Sequence, residues 1–312
     1  MTAAPPRLAA DQTAALTRKI TLASVGVAAV LVAIKGGVWL VSGSVALLAS
    51  AADSGLDLLA SLVTFAAVRY ATTPPDAEHR FGHGKAEAFA SLVQAGLVFA
   101  SAALIGREAI MGIFDPRPIA NEGWAIGVMA VSTVLTGALI YAQTLVLRRT
   151  TSVAVSGDRA HYASDLASNL TALLGIAAAA LLGWTRVDAV AGLAIAALLL
   201  WSAVGVFRQA SDQLMDHELP DAERDRIVEL ARADPAIKGV HSLRTRASGP
   251  FVYIELQIEL DPDQSLEAAH QKMIACENRV LAEFPAADII IHADPKGRAA
   301  PHEGAFARSS RV

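Results

Sequence analysis

Runs of about 20 mostly apolar residues, the length a helix needs to cross a hydrocarbon core, recur along the first two thirds of the chain. Four are unbroken: Ile20 to Val41, Val45 to Val68, Phe89 to Ile110 and Trp124 to Leu147. Two more lie at Val153 to Trp184, whose opening half is polar, and Val187 to Phe207. This pattern predicts six transmembrane helices. Past Arg208 the period changes. Leu219-Pro220-Asp221 opens a helix with an acidic first turn, and Val240 to Arg246 reads as a strand that ends in a Ser248-Gly249-Pro250 turn. In Phe251 to Leu260, Val252, Ile254, Leu256, Ile258 and Leu260 alternate with Tyr253, Glu255, Gln257 and Glu259, the period of a half-buried strand. A helix from Ser265 to Phe284 and a strand from Asp288 to His292 complete an α-β-β-α-β order, a small two-layer α+β domain.

Composition agrees with a membrane class: 54% of the 312 residues are hydrophobic and 18% charged. A net charge of -4 offers no basic field, which excludes nucleic acid as a partner. The lone Cys276 shares a helical stripe with Ala269, Met273, Val280 and Phe284 and is expected to be a core thiol. Loop charges set the orientation. Arg7, Arg18 and Lys19 precede span 1, Arg69, Arg80 and Lys85 fall between spans 2 and 3, and Arg148, Arg149 and Arg159 between spans 4 and 5; the opposite loops offer Arg107, Arg117 and Arg186. Both termini are then cytoplasmic. The expected organisation is a cytoplasmic N-terminal tail (1–18), a six-helix transmembrane domain (19–210), a cytoplasmic domain (211–295) and a disordered tail (296–312) rich in Gly, Ala, Ser and Arg.

Several charges contradict the hydrocarbon around them. Span 2 carries Asp53 and Asp57, and span 5 carries His161, Asp165 and Asn169, each set spaced by four along one helix face. An ionised carboxylate at the bilayer centre costs about 2.5–3.5 kcal/mol even on the insertion scale. Asp53 lies ~12 Å below the outer end of span 2 and Asp165 ~18 Å above the inner end of span 5 at about 1.5 Å per residue. Together these distances match the ~30 Å core, so the two pairs meet at one level where the spans touch. Ser50, Ser54 and Gly55 permit that approach. Three carboxylates and an imidazole suit tetrahedral Zn²⁺. The alternative is a set of protonated carboxyls in interhelical hydrogen bonds. Lys35, beside Gly36 and Gly37 near the outer end of span 1, is expected to snorkel to the interface.

A second cluster, Asp76, His79 and His83, occupies the loop after span 2 at metal-ligand spacing, against the alternative of a solvated polar loop. In the terminal domain His241 starts one strand, His292 and Asp294 end another, and His270 sits on the helix between; scattered surface histidines would look the same.

With these residues in view, the chain resembles the cation diffusion facilitator family, and within it the bacterial ferrous-iron and zinc efflux branch. The matching segments are Ser42-Gly-Ser-Val-Ala-Leu-Leu-Ala-Ser-Ala-Ala-Asp-Ser-Gly-Leu-Asp57, His79-Arg-Phe-Gly-His-Gly-Lys85, His161-Tyr-Ala-Ser-Asp165 and Ile289-Ile-Ile-His-Ala-Asp-Pro295. The resemblance covers nearly all of residues 15–295. It implies a homodimer in the bacterial inner membrane, six spans per protomer and a ferredoxin-like cytoplasmic domain similar to metallochaperones. It also implies a transport site at Asp53, Asp57, His161 and Asp165, a loop metal site at Asp76, His79 and His83, and a cytoplasmic site at His241, His270, His292 and Asp294. Lys85 and Asp216 match a charge interlock at the dimer interface. One departure stands out: where the branch has a bridging-type His on the second strand, this chain has Gln257, so its cytoplasmic site is expected to hold one metal or to bind weakly.

The implied activity is efflux of Zn²⁺, with Fe²⁺ and Cd²⁺ as further substrates, in exchange for protons, under regulation by metal at the cytoplasmic domain. Proton and metal compete for the same lone pairs, which couples the fluxes. Mn²⁺ also fits a shell of three oxygens and one nitrogen, although binding strength favours Zn²⁺ over Fe²⁺ and Mn²⁺. A membrane metal sensor without flux is the rival from another class. An intramembrane metalloenzyme is disfavoured by the absence of a His-Glu-x-x-His helix, and no enzymatic activity is expected.

Overall fold

The computed structural model describes residues 8–42, 45–114, 123–182 and 187–298. Its contacts separate Ala14–Ser211 from the residues that begin at Asp212. The first unit is helical throughout: α1 (Ala10–Ser42), α2 (Val45–Ala71), α3 (Ala86–Phe114), α4 (Gly123–Leu147), α5 (Val153–Leu182) and α6 (Val187–Leu214). Among the described residues, α1, α2, α3, α4 and α6 are each long and apolar enough to span a membrane. The 30-residue α5 has the length, but Asp158, Arg159, His161 and Asp165 crowd its first half. Its polar face is turned inward, because α5 packs against α2, α3 and α4. Leu56, Leu59, Leu104, Val134, Leu198 and Trp201 stay exposed, as lipid-facing side chains of a bundle do.

Three apolar contacts organise the bundle. Ile20, Leu139, Val155 and Tyr162 join α1, α4 and α5; Ala95, Val98, Leu199 and Ala203 join α3 and α6; Val68, Ala90 and Ala154 join α2, α3 and α5. Gly157 lets α5 press on α3, since a Cβ there would sit 3.0 Å from Ser91 Oγ and 3.1 Å from Gln94 Cβ.

Residues 10–18, part of the expected cytoplasmic tail, are helical and continuous with the first span. Thr13, Thr17, Thr21 and Ser24 form a buried polar stripe there. Thr17 donates to Ala14 O and Thr21 to Thr17 O along the helix, while Ser24 donates to Asp158 Oδ2 with Ile20 O also in reach. The expected tail beyond Lys296 falls mostly outside the described residues, as do Arg117 and Arg186.

The second unit is α7 (Asp221–Arg232), β1 (Gly239–Ser248), β2 (Phe251–Leu260), α8 (Leu266–Glu283) and β3 (Ala287–Pro295), the α-β-β-α-β order of the sequence. β2 is central, antiparallel to β1 and parallel to β3. Ile254, Leu256, Ile258 and Leu260 face Ile227, Ala231, Cys276, Val280 and Phe284 in the core. Cys276 is fully buried, as its stripe requires, and burial raises its thiol pKa. Ser265 caps α8 by accepting from Ala268 N.

Candidate metal centres

The i, i+4 spacing on α5 and the packing of α5 on α2 bring Asp57, His161 and Asp165 together. His161 Nε2 lies 3.1 Å from Asp57 Oδ1 and 3.9 Å from Asp165 Oδ2, and one ligand atom from each of the three lies within 4.8 Å of the others. Zn²⁺ bonds of about 2.0–2.2 Å in a tetrahedron require ligand atoms roughly 3.4 Å apart. The observed separations bracket that value. Asp57 and His161 are buried, and among the described residues neither His161 Nδ1 nor Asp165 Oδ2 has a hydrogen-bond partner. A buried carboxylate oxygen left unsatisfied in this way is costly unless a ligand completes it.

Asp53 stands apart from this triad. It is exposed, one turn from Asp57, and both line a cavity of about 200 Å³ that Asp165 and Asn169 also border. The same cavity holds a residue whose expected position was wrong. Lys35 does not snorkel: it is 8% exposed, lines the cavity, and donates from Nζ to Ser54 Oγ at 2.7 Å. A hydroxyl one residue past Asp53, packed against α1, supplies the partner that an end-of-helix argument omitted.

A further polar cluster escaped the sequence argument. Asp158, fully buried, accepts from Ser24 Oγ (2.6 Å) and Gln143 Nε2 (2.8 Å) at Oδ2, and from Gln94 Nε2 (3.3 Å) at Oδ1. Four helices, α1, α3, α4 and α5, thereby meet at one carboxylate. The signal was present in the sequence as Gln94 and Gln143, two amides inside otherwise apolar spans. Tyr162, next to His161, is pinned nearby by Ser61 Oγ (2.7 Å) and by donation to Ser24 O (3.2 Å). At the start of α3, Glu87 is buried and accepts from Ser152 Oγ, which precedes α5. The carboxylate thereby ties the two helix starts together.

The loop between α2 and α3 gathers Asp76, His79 and His83 into the second cluster of ligand atoms. Asp76 Oδ1 accepts from the amides of Glu78 (2.9 Å) and His79 (2.6 Å). The His79 amide is the main reason that the Asp76 carboxyl is held below its usual range. His79 Nδ1 and His83 Nε2 each lie 3.3 Å from an Asp76 oxygen. Thr73 Oγ1 donates to Tyr70 O and so accepts from His83 Nδ1 at 2.9 Å. His83 is thereby held at Nδ1 with its Nε2 turned to Asp76. Gly82, at φ 74°, makes the tight turn between the two histidines.

In the second unit the strand register aligns His241, Gln257 and His292 on one row across β1, β2 and β3. Asp294, two residues past His292, lies 3.7 Å from His241 Nε2 and 3.3 Å from His292 Nε2. Gln257 thus occupies the middle of the row. His270 is exposed on α8 and is not brought to this row in the protomer. Asp216, at φ 54°, pairs with Arg246 (3.2 Å) in its own unit, while Lys85 immediately precedes α3 in the other.

Comparisons with known proteins agree with this architecture. The family model for the cation efflux transmembrane domain matches residues 21–215, and that for the cation efflux protein, cytoplasmic domain, matches residues 219–296. The cation-efflux pump FieF of Salmonella choleraesuis (strain SC-B67) is 37% identical over 289 residues, 93% of this chain and 96% of that protein. FieF of Salmonella schwarzengrund (strain CVM19633) is 37% identical over 280 residues, 90% and 93% of the two chains. Among solved structures, the metal-bound C-terminal domain of the CzcD transporter from Thermotoga maritima is 26% identical, covering 25% of this chain and 93% of that one with a TM-score of 0.25. With both of its units matched and curated relatives aligned over nine tenths of its length, the chain belongs to the cation diffusion facilitator family of cation efflux transporters.

Proposed function

We propose that the protein exports a divalent transition metal, Zn²⁺ first and Fe²⁺ or Cd²⁺ next, from the cytoplasm across the bacterial inner membrane in exchange for protons. Asp53, Asp57, His161 and Asp165 form the transport site. The observation that carries this reading is the convergence of Asp57, His161 and Asp165 from two helices inside an apolar bundle, with a buried carboxylate oxygen that has no hydrogen-bond partner among the described residues. Asp53 closes the shell from the mouth of the cavity when the ion enters. Metal binds only to the deprotonated ligands, so each ion displaces protons from the groups that hold it. Alternating access then requires two packings of the bundle around this site.

The protein works as a homodimer with both termini cytoplasmic, consistent with its matched cytoplasmic domain. His241, His292 and Asp294 bind a regulatory ion there, joined by His270 on assembly, with Gln257 weakening the site; the loop cluster of Asp76, His79 and His83 forms a further metal site. Lys85 and Asp216 act as the charge interlock of the dimer.

The test is uptake by proteoliposomes under an imposed pH gradient, with an internal metal-sensitive dye. Wild-type protein accumulates Zn²⁺ and carries protons in the opposite direction, and Asp57→Ala or Asp165→Ala abolishes both fluxes. Binding without flux in the wild type, or full flux in either variant, refutes the assignment.

A further inference from the structure

The cavity contains one cationic side chain, Lys35, among its described lining residues, together with Asp53, Asp57 and Asp165; Tyr162 also lines it, and His161 stands behind Asp57. Lysine carries three N–H donors. Among the described residues the structure provides one acceptor, the neutral hydroxyl of Ser54, itself fully buried. A buried ammonium so sparsely hydrogen-bonded depends on the electrostatic field around it. That field comes from the carboxylates of Asp53, Asp57 and Asp165, which line the same cavity. If the only task were to tie α1 to α2, a neutral donor against Ser54 would do it without the desolvation of a charge. The charge therefore serves the cavity.

We propose that Lys35 is a tethered counter-cation of the transport site. Its ammonium offsets part of the carboxylate charge when the cavity holds no metal and repels the divalent ion when one is bound. Lys35 thereby weakens metal binding to a level from which the ion escapes, and sets affinity against turnover. The ammonium competes by position, as a rival to the metal for the same carboxylate field. This inference rests on the transport-site reading above.

The discriminating feature is the sign of the effect. Damage to the helix packing weakens metal binding, whereas loss of a competing charge tightens it. Removing one positive charge within a partly buried cavity changes the affinity for a divalent ion by about tenfold to a hundredfold. In the proteoliposome assay Lys35→Met is therefore expected to lower KM for Zn²⁺ about tenfold or more and to lower kcat as release slows. Lys35→Gln, which keeps a donor for Ser54 but not the charge, behaves in the same way. Lys35→Arg, which restores the charge, moves KM back toward the wild-type value. A raised or unchanged KM in the neutral variants overturns the proposal, as does folding that fails in both neutral variants and returns in Lys35→Arg, since that pattern marks a structural tie. Failure of the underlying reading looks different: wild-type protein then shows no Zn²⁺ flux, or Asp57→Ala retains it.

Discussion

The carboxylate of Asp158 is expected to hold the bundle together without touching the transported ion. Replacing it with alanine removes three interhelical hydrogen bonds, from Ser24, Gln94 and Gln143. The cost is moderated because each donor has another partner: Ser24 reaches Ile20 O (3.2 Å), Gln94 reaches Thr64 Oγ1 (2.8 Å) and Ala60 O (3.3 Å), and Gln143 reaches Ser24 Oγ (3.2 Å). No donor is stranded. Interhelical hydrogen bonds within membrane proteins average about 0.6 kcal/mol, with a ceiling near 1.7, so the three together contribute about 2–5 kcal/mol. For a unit of this size that range lowers Tm by roughly 5–15 °C. Asp158→Asn retains one carbonyl acceptor and should fall between alanine and wild type. The assay is thermal unfolding of detergent-solubilised protein followed by size-exclusion chromatography, with Zn²⁺ flux measured on the surviving fraction at low temperature. An unchanged Tm with abolished flux in Asp158→Ala would refute the structural role and move this carboxylate into the transport path.

Two further outcomes follow from local geometry. Gly157→Ala places a Cβ 3.2 Å from the Ser91 backbone and is expected to destabilise by about 1–3 kcal/mol through overpacking; Gly26→Ala, with nothing within 4 Å, should be neutral or stabilising by about 0.5–1 kcal/mol, and equal Tm shifts in the two variants would contradict the close approach of α5 to α3. In the loop, Asp76 has a depressed pKa in the fold, so its contribution to loop order is present above the ordinary carboxylate range and is lost as pH falls through and below that range. Amide hydrogen exchange at Glu78 and His79 should accelerate over that window, and exchange independent of pH after correction for the intrinsic rate would show that the Asp76 bonds do not hold the turn.

Much of this architecture was legible because the bilayer and the half-buried strand impose different periods. The alternation in Phe251 to Leu260 predicts which side chains enter the core, and Ile254, Leu256, Ile258 and Leu260 do so. Likewise, spacing by four predicts that His161 and Asp165 share a face. What spacing does not carry is the partner of a lone polar residue. Lys35 looks like a snorkelling end residue until Ser54 of another helix is placed against it. Asp158 lies three residues before His161 and looks like loop charge until Gln94 and Gln143 arrive from two other spans. The start of α1 was hidden for another reason, since Thr17 and Thr21 donate to carbonyls of their own helix and so sit in it as polar residues.

The two ligand clusters of the transmembrane unit differ in what holds them. In the loop, His83 is fixed by Thr73, Asp76 by two amides, and the rings of His79 and His83 lie 4.6 Å apart. Hydrogen bonds behind these side chains therefore preset their orientation, which in a metal site would favour tight retention. In the bundle, His161 Nδ1 has no partner among the described residues, and its Nε2 spans a short separation to Asp57 and a longer one to Asp165. Among the described residues no hydrogen bond at Nδ1 backs that imidazole, so its orientation rests on Asp57 and on the neighbouring Tyr162 ring. A shell of this kind costs affinity, because ordering is deferred to the moment of binding. For a cargo that must be released on the far side of the membrane, that lower affinity is an advantage. On the proposal made above, the same balance extends to Lys35, which lines the same cavity and would oppose the metal with a charge of its own sign. Loose ligation and a resident cation would then both favour release, while capture would fall to the carboxylates of Asp53, Asp57 and Asp165.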